Sequence, residues 1–252
     1  MPEPKVAFPE REEWLFVLSA AIAAFSTYFC MYAFRKPFAV ASYEQADGVF
    51  GLDFKSALII AQVLGYALSK FIGIRVIAEM TAANRAKAIL LLVMTSEVAL
   101  IAFALLPGES KLLGLFLNGL PLGMIWGLVF SYLEGRRTTE VLAAILSVSF
   151  IVSSGVVKSV GLFLMLDLGV TEYWMPAATG ALFTLPLFLS VRWLATTPPP
   201  SAKDIATRRA RQPMSRHDRL ALLNQYFIGL SCLIIAYMLL SAIRDFSDNF
   251  AA

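Results

Sequence analysis

Charged residues are scarce in this sequence, making up 15% of its 252 residues, whereas about 25% is usual for a soluble domain. Hydrophobic residues make up 58%, and the mean hydropathy is +0.71. The apolar residues stand in blocks of twenty or more, which is the length that a helix needs to cross about 30 Å of hydrocarbon. This pattern predicts an all-α integral membrane protein, because backbone polar groups inside a bilayer must be satisfied within the helix.

Cysteine and histidine are also nearly absent. Cys30 and Cys232 both lie inside apolar blocks, which argues against a disulfide framework or a zinc site. The single histidine, His217, lies in a polar linker. The apolar blocks contain no pair of acids and no metal-ligand spacing, so we predict neither an enzyme nor a bound cofactor. The polar residues 1–13 lack a basic segment followed by a short apolar core, so we predict no cleaved signal peptide.

The apolar blocks predict seven transmembrane spans. The first extends over 14–34, with an apolar continuation to residue 42. The others are predicted at 55–79, 86–107, 111–133, 141–166, 173–194 and 220–243.

Lysine and arginine predict the orientation of these spans. Arg85 and Lys87 lie in one loop, Arg136 and Arg137 lie two loops later, and the linker 195–219 is strongly basic. Basic loops favour the cytoplasmic side. We therefore predict a multi-pass protein of the cell membrane with a cytoplasmic N-terminus. The basic linker is interpreted as a solvated cytoplasmic connector, to which contact with anionic membrane lipids would add. Topology accounts for the net charge of +3, so no nucleic-acid partner is expected.

The linker also predicts the domain organisation. A cytoplasmic tail (1–13) precedes a six-helix bundle (14–194), the linker (195–219) and a seventh helix that begins a second unit (220–252). A short repeat supports this division, because Tyr28 to Arg35 in span one and Tyr237 to Arg244 in span seven both read tyrosine, four residues, alanine, one residue, arginine. Parallel six-helix halves would place Arg35 and Arg244 at matching depths.

Arg35 is the first candidate for a binding residue, because charged groups inside membrane spans are costly and often functional. Tyr28, Tyr32 and Arg35 are four and three residues apart and would share one helix face. Such a face suits an anionic ligand. A second interpretation places Arg35 and Lys36 at the outer interface, where they would reach the lipid headgroups.

Other charged residues within the predicted spans also lie at comparable depths, counted from the cytoplasmic end of each span. Lys158 in span five matches the depth of Arg35, which predicts a second cation for an anion site, unless it reaches the outer headgroups instead. Lys70 in span two and Glu97 in span three lie at similar depth, which favours an ion pair between neighbouring helices. A proton-coupling role for Glu97 is the alternative. Arg75 lies nearer the cytoplasm and would anchor the helix there.

Span four and the loop after it contain the residues for which we predict a structural or coupling role. Gly119, Gly123 and Gly127 recur every four residues, a spacing that lets another helix approach closely. The loop 134–140 is short and charged. Its Glu134, Arg136 and Arg137 would either latch one conformation through ion pairs or form an ordinary cytoplasmic loop.

Two segments resemble a known family. Tyr28, Tyr32, Arg35, Lys36 and Phe38, followed by the stretch 65–71 (GYALSKF), resemble the first two helices of the organophosphate:phosphate antiporters, a branch of the major facilitator superfamily. The region 126–140 resembles an uncharacterised family of the same superfamily. The six spans, the linker and the seventh span are similar to its layout over the whole chain.

The resemblance implies a twelve-helix transporter with an anion site between two halves, of which this chain would hold the first half and helix seven. Arg35 would bind the substrate, with Tyr28, Tyr32, Lys36 and Lys70 around it. A complementary C-terminal half is then an expected partner. The family's second substrate arginine aligns nearer Leu240 than Arg244, so the implied substrate is a small organic or phosphate-bearing anion in general.

Two other function classes stay open from the residues alone. One is a seven-helix receptor, although the last span contains no lysine for a retinal Schiff base and the repeat between spans one and seven favours a transporter. The other is a sensor or assembly protein that has the fold but does not transport. Charge-neutralising Arg35 and Lys158 would distinguish these classes.

Overall fold

The computed structural model describes residues 11–44, 46–49, 51–207 and 216–250. The predicted tail up to residue 10 and the centre of the predicted linker, 208–215, lie outside these ranges. Within them the chain is helical and contains no strand, apart from an isolated bridge between Val49 and Leu52. The helices are α1 (Arg11–Tyr32), α2 (Phe54–Glu79), α3 (Ala82–Leu105), α4 (Lys111–Leu122), α5 (Ile125–Phe130), α6 (Thr139–Leu166), α7 (Met175–Ala195), α8 (Ala202–Thr207) and α9 (Arg216–Phe250).

Within the described ranges, seven segments are long and apolar enough to cross a membrane. The prediction of an all-α membrane protein with seven spans is therefore confirmed. The fourth span, Gly108–Phe130, differs from the single helix expected, because α4 and α5 are separated by a turn at 123–124. Pro121 has no N–H to donate to the preceding turn, which weakens the helix just before this break.

The chain divides into two units, 1–206 and 207–252. The first unit contains six spans and both hydrophobic clusters of the structure. The second contains α9, which is 35 residues long and has non-helical backbone angles at Tyr226. Its candidate span is Leu220–Leu240.

The end of α1 is the main local departure from the expected helices. The α-helix ends at Tyr32, a turn follows at 33–36, and a 3-10 helix covers Pro37–Val40. Proline cannot donate the hydrogen bond that would continue the α-helix. The apolar stretch after Arg35 is therefore neither a prolongation of α1 nor a surface segment: it packs against α6 and α7.

Helix contacts in the first unit follow a regular pattern. α2 packs on α4, and α6 packs on α1. α3 packs on α4, and α7 packs on α1, while α3 and α7 also contact each other. Exchanging the first three spans for the next three leaves these contacts unchanged, but α6 also packs on α7 and the equivalent helices α2 and α3 do not pack on each other to that extent.

The α2–α4 contact is a close backbone crossing. A Cβ atom at Gly65 would lie 2.1 Å from the Phe116 carbonyl oxygen, and one at Gly119 would lie 2.2 Å from the Gln62 carbonyl oxygen. Gly123 lies equally close to α2, and Gly127 lies against the side chain of Ile77. The three glycines of span four thus lie along α2.

The loops at one end of the bundle, here called the far end, form an aromatic cluster. Tyr43 packs edge-on against Phe54 and Phe103, and its N–H donates to Glu172 over 3.1 Å. Burial raises the pKa of Tyr43, and the nearby Glu172 raises it further. Lys111 donates to the Phe103 and Ala104 carbonyls and so satisfies the end of α3.

At the opposite end of the bundle, where α1 begins, arginine side chains join neighbouring segments. We call this the near end. The Arg136 guanidinium lies 4.7 Å from the centre of the Phe16 ring and donates to the Pro198 carbonyl. Burial lowers the pKa of Arg136, although the charge of Asp204 opposes this shift. Arg85 donates to the Ser131 carbonyl over 2.9 Å. The near end therefore joins the start of α1, the turn after α5 and the segment after α7.

Asp204 fastens α8 to this end. Its carboxylate accepts the Arg137 N–H (3.0 Å) and the N–H (2.9 Å) and hydroxyl (2.8 Å) of Ser201. Burial alone would raise the pKa of Asp204, but these hydrogen bonds and the charge of Arg136 outweigh it and lower the pKa. Because the folded pKa is depressed, the carboxylate stabilises this contact above its unfolded pKa and ceases to do so as the pH falls through the folded pKa.

Replacing Asp204 by alanine is therefore expected to release α8 from the 136–139 turn. We expect faster hydrogen–deuterium exchange at 202–207, with a change of less than about 1 kcal/mol in the unfolding free energy, because the contact is largely solvated. Acidification should have the same local effect on the unmodified protein. The control is Asp167→Ala, at the far end, where exchange at 202–207 should not change. Unchanged exchange in Asp204→Ala would contradict the role of this contact.

Candidate functional site

The turn after α1 is held by two buried amide side chains. The Phe34 carbonyl accepts a hydrogen bond from Asn118 Nδ2, and the Arg35 carbonyl accepts one from Gln62 Nε2, both over 2.9 Å. Since α1 has ended, amide side chains from α4 and α2 satisfy these two carbonyls. The position of Arg35 is therefore set by two other helices.

These amides belong to one polar network inside the bundle. Gln62 also donates to the Asn118 side-chain oxygen over 2.7 Å, and Asn118 donates to the Ser96 hydroxyl over 2.6 Å. Gln62 is 4% exposed, and Ser96 and Asn118 are fully buried. A buried amide is costly unless its hydrogen bonds are made. The network therefore joins α2, α3 and α4 to the turn in one arrangement.

Arg35 points into the middle of the bundle. Its guanidinium carbon lies 4.1 Å from the centre of the Tyr66 ring and 5.8 Å from that of Tyr32, and the residue is 6% exposed. Tyr66 follows Phe54 by twelve residues, or about 18 Å of helix, which places it midway along the 26-residue α2. The charge of Arg35 thus lies about halfway along the second span.

Two more tyrosines and a lysine complete the group. The Tyr28 and Tyr32 rings meet edge-on at 5.6 Å, and the Tyr28 side chain hydrogen-bonds to Tyr66. The Lys70 ammonium lies 5.0 Å from the centre of the Tyr66 ring. We call these five residues the Arg35 cluster: Tyr28, Tyr32, Arg35, Tyr66 and Lys70.

The Arg35 cluster has the chemistry of an anion site. A guanidinium stacked on an aromatic ring keeps its planar edge for two parallel hydrogen bonds to a carboxylate or phosphate. Tyrosine hydroxyl groups add neutral donors, and Lys70 adds a second positive charge. Lys70 is exposed, whereas Arg35 is buried, so Arg35 lies in the low-dielectric interior, where its charge attracts an anion much more strongly than it would in water.

The other predicted binding residues are Lys36, Lys158 and Arg244. Lys36 follows Arg35 in the same turn and is 4% exposed. Lys158 is half-buried on α6, close enough to Lys55 at the far end for their charges to repel each other. Arg244 is exposed on α9, in the second unit.

Lys70 and Glu97 are not brought together as the expected ion pair. Lys70 lies beside Tyr66, whereas Glu97 faces α7, where a Cβ atom at Gly180 would come within 2.1 Å of its Oε2. The reason is the packing: α2 and α3 each pack mainly on α4, so residues at equal depth on them face different neighbours. Arg75 pairs with Glu79 over 3.0 Å on an exposed surface of α2.

The loop after α5 contributes to near-end packing. Glu134 is half-buried, and its N–H donates to the Phe130 carbonyl over 2.9 Å. Gly135 has a φ of 83°, which favours glycine. Arg136 and Arg137 contact the segment after α7, as described above, so this loop joins spans four and five to residues 198–204.

Four residues of the site were not among the predicted binding residues: Gln62, Tyr66, Ser96 and Asn118. A signal for two of them exists in the sequence, because Gln62 and Asn118 are amides inside apolar spans, where an unsatisfied polar group is expensive. Tyr66 appeared only within the stretch that resembles the antiporters. The contacts between these residues come from helix packing, which a single sequence does not reveal.

A family model matches most of the chain. It is the Family of unknown function (DUF5690), and it matches residues 37–252. The chain belongs to this family. The matched segment begins two residues after Arg35, so it includes Gln62, Tyr66, Lys70 and Asn118, whereas Tyr28, Tyr32 and Arg35 precede it. No curated protein and no solved structure matches the chain.

Proposed function

We propose that this chain forms part of a secondary active transporter that moves a small organic or phosphate-bearing anion across the cell membrane by alternating access. The observation that carries the proposal is the guanidinium of Arg35, which lies at mid-depth on the Tyr66 ring and is held there by amides from two helices. Substrate sites of such transporters lie near the bilayer midplane.

The arrangement of the helices supports the proposal. Most contacts of the six-span unit are unchanged when spans one to three are exchanged for spans four to six, although the contact of α6 with α7 has no counterpart of its size between α2 and α3. Inverted repeats of three helices produce this symmetry, and they underlie the half-units of many transporters. In this proposal the near end, with Arg85, Arg136 and Arg137, faces the cytoplasm, as the distribution of basic loops favours.

Alternating access also gives the near end a role. The contacts of Arg136 with Phe16 and Pro198 join the first, fourth and sixth spans on one side of the cluster. A transporter must break such contacts to open toward that side. The second half of the transporter, which would complete the substrate cavity, is part of the proposal.

Anion binding to variants of Arg35 tests the proposal. The protein is placed in lipid nanodiscs, and binding of radiolabelled inorganic phosphate and of a panel of small carboxylates is measured. We expect Arg35→Gln to weaken binding by about a hundredfold, because it removes the buried charge that pairs with the anion. Arg35→Lys should recover only part of the affinity, since it restores the charge without the planar double donor.

The matched control is Arg75→Gln, because Arg75 is exposed and already paired with Glu79. It should leave anion affinity unchanged. Equal affinity of Arg35→Gln and the unmodified protein for a bound anion would refute the site. A lack of saturable binding for every anion in the panel would refute the proposed substrate class.

A further inference from the structure

Glu97 presents a half-buried carboxyl group inside the bundle, without a charged partner among the described residues. It lies on α3, eight residues before Leu105, or about 12 Å from the end of the helix. Its Oε2 atom is buried and accepts no hydrogen bond from any described residue. The carboxyl fills a gap on α7 that exists because Gly180 has no side chain, and the Phe34 ring borders the same gap.

The titratable groups on the elements around Glu97 do not compensate a negative charge there. The only charged residue of α7 is Arg192, twelve residues from Gly180 and about 18 Å along the helix. The only one of α4 is Lys111, which is bonded to the Phe103 and Ala104 carbonyls. α5 has none. On the facing part of α1 the titratable groups are Tyr28, Cys30 and Tyr32, and in the turn they are Arg35, stacked on Tyr66, and Lys36.

An ionised carboxylate in this gap would be expensive. Its buried oxygen accepts no hydrogen bond from the described residues, and taking an unpaired charge out of water costs several kcal/mol. The neutral acid avoids most of this cost. Acids within membrane spans that face the protein interior commonly carry protons.

We infer that Glu97 is a proton-binding site and that its proton favours anion binding at the Arg35 cluster. The inference rests on the proposed function for its second half, since it takes the Arg35 cluster as the anion site. The ligand of Glu97 itself is H⁺, which adds to one carboxylate oxygen to give the neutral acid.

Two short connections couple Glu97 to Arg35. Phe34, whose ring borders the carboxyl, is the residue before Arg35 in the turn. Asn118 hydrogen-bonds both to Ser96, the residue before Glu97, and to the Phe34 carbonyl. A negative charge on Glu97 would therefore lie next to the turn that holds Arg35, and it would oppose an arriving anion.

The sign of the pH effect follows from this arrangement. At low pH Glu97 is protonated and adds no negative charge beside the turn that carries Arg35. As the pH rises and Glu97 loses its proton, anion affinity falls. Linkage is reciprocal, so a bound anion also holds the proton on Glu97 more tightly.

Infrared spectroscopy of the protein in nanodiscs tests the proton site directly. We expect a C=O band of a protonated carboxylic acid at neutral pH that disappears in Glu97→Gln and persists in Glu109→Gln, an exposed acid of the far-end loop. A band unaffected by Glu97→Gln would overturn the inference. Glu97→Asp, which withdraws the carboxyl from the gap beside Gly180, should shift the band, and it provides a second variant if Glu97→Gln does not fold.

Anion binding as a function of pH tests the coupling. Inorganic phosphate and sulfate are the probes, and sulfate keeps its charge between mildly acidic and mildly alkaline pH. We expect affinity in the unmodified protein to fall by about fivefold or more across this range, and Glu97→Gln to keep the high, acidic-pH affinity throughout. Equal pH dependence in both proteins would overturn the coupling. The Glu97 band without any anion binding would instead refute the proposed function and leave the proton site in place.

Discussion

Replacing Gly119 by alanine is expected to lower the unfolding free energy of the bundle by about 3 kcal/mol or more. The new Cβ atom would lie 2.2 Å from the Gln62 carbonyl oxygen and 3.1 Å from the Tyr66 nitrogen, both of which are backbone atoms of α2. Backbone cannot move aside as a side chain can, so α2 and α4 would have to separate. Thermal unfolding in detergent, followed by tryptophan fluorescence, measures the loss.

Gly155 provides the matched control for this substitution. It lies in a membrane-spanning helix, α6, and a Cβ atom there would meet nothing within 4 Å. Gly155→Ala should leave the unfolding temperature unchanged or raise it slightly, because alanine favours the helix. Equal effects of the two substitutions would show that the α2–α4 crossing is not as close as described. Because Gln62 holds the Arg35 carbonyl, we also expect Gly119→Ala to weaken anion binding.

Asn118→Leu is expected to be nearly as disruptive, lowering the unfolding free energy by about 3 to 5 kcal/mol. Leucine has a similar size but leaves the Phe34 carbonyl and a Gln62 N–H without their bonds, each at a cost of about 1 to 3 kcal/mol when buried. The turn that positions Arg35 would then be held by Gln62 alone. Denaturation in detergent and phosphate binding at a temperature where the variant remains folded measure the two effects.

Ser147→Ala is the control for the loss of a polar group inside a span. The Ser147 hydroxyl donates to the Ala143 carbonyl of its own helix, so its removal affects no other element. We expect a change of less than about 1 kcal/mol in stability and none in binding. If Asn118→Leu had as small an effect as Ser147→Ala, the amide network would not be what positions Arg35.

The behaviour of Arg35 shows how far sequence reasoning extends in a membrane protein. Its spacing from Tyr28 and Tyr32 and its place after an apolar run indicated a candidate site, but the same residues also allowed an interfacial position. The sequence also contained a reason for α1 to end, because Pro37 cannot donate the hydrogen bond that would continue the helix. What the sequence did not reveal was that Gln62 and Asn118 would hold the resulting turn at mid-depth.

Lys70 and Glu97 show what the sequence could not predict, which is the neighbour that each side chain faces. Their depths in the membrane could be counted from the span ends, since the rise of a helix is constant. Their orientations around the helix axes could not be assigned to particular neighbours, because several packing arrangements bury the same apolar residues. In the structure α4 lies between α2 and α3, so Lys70 lies on the Tyr66 ring and Glu97 faces Gly180.

The sequence by itself determined that this chain is helical and crosses a membrane, how many spans it has, and where most of them begin and end. The physical reason is that hydrocarbon demands long apolar helices whatever their neighbours are. Only the tertiary structure decided which polar groups meet inside the bundle. Those contacts depend on small differences in packing, such as the absence of a side chain at Gly65, Gly119 or Gly180, and they bring residues far apart in sequence together.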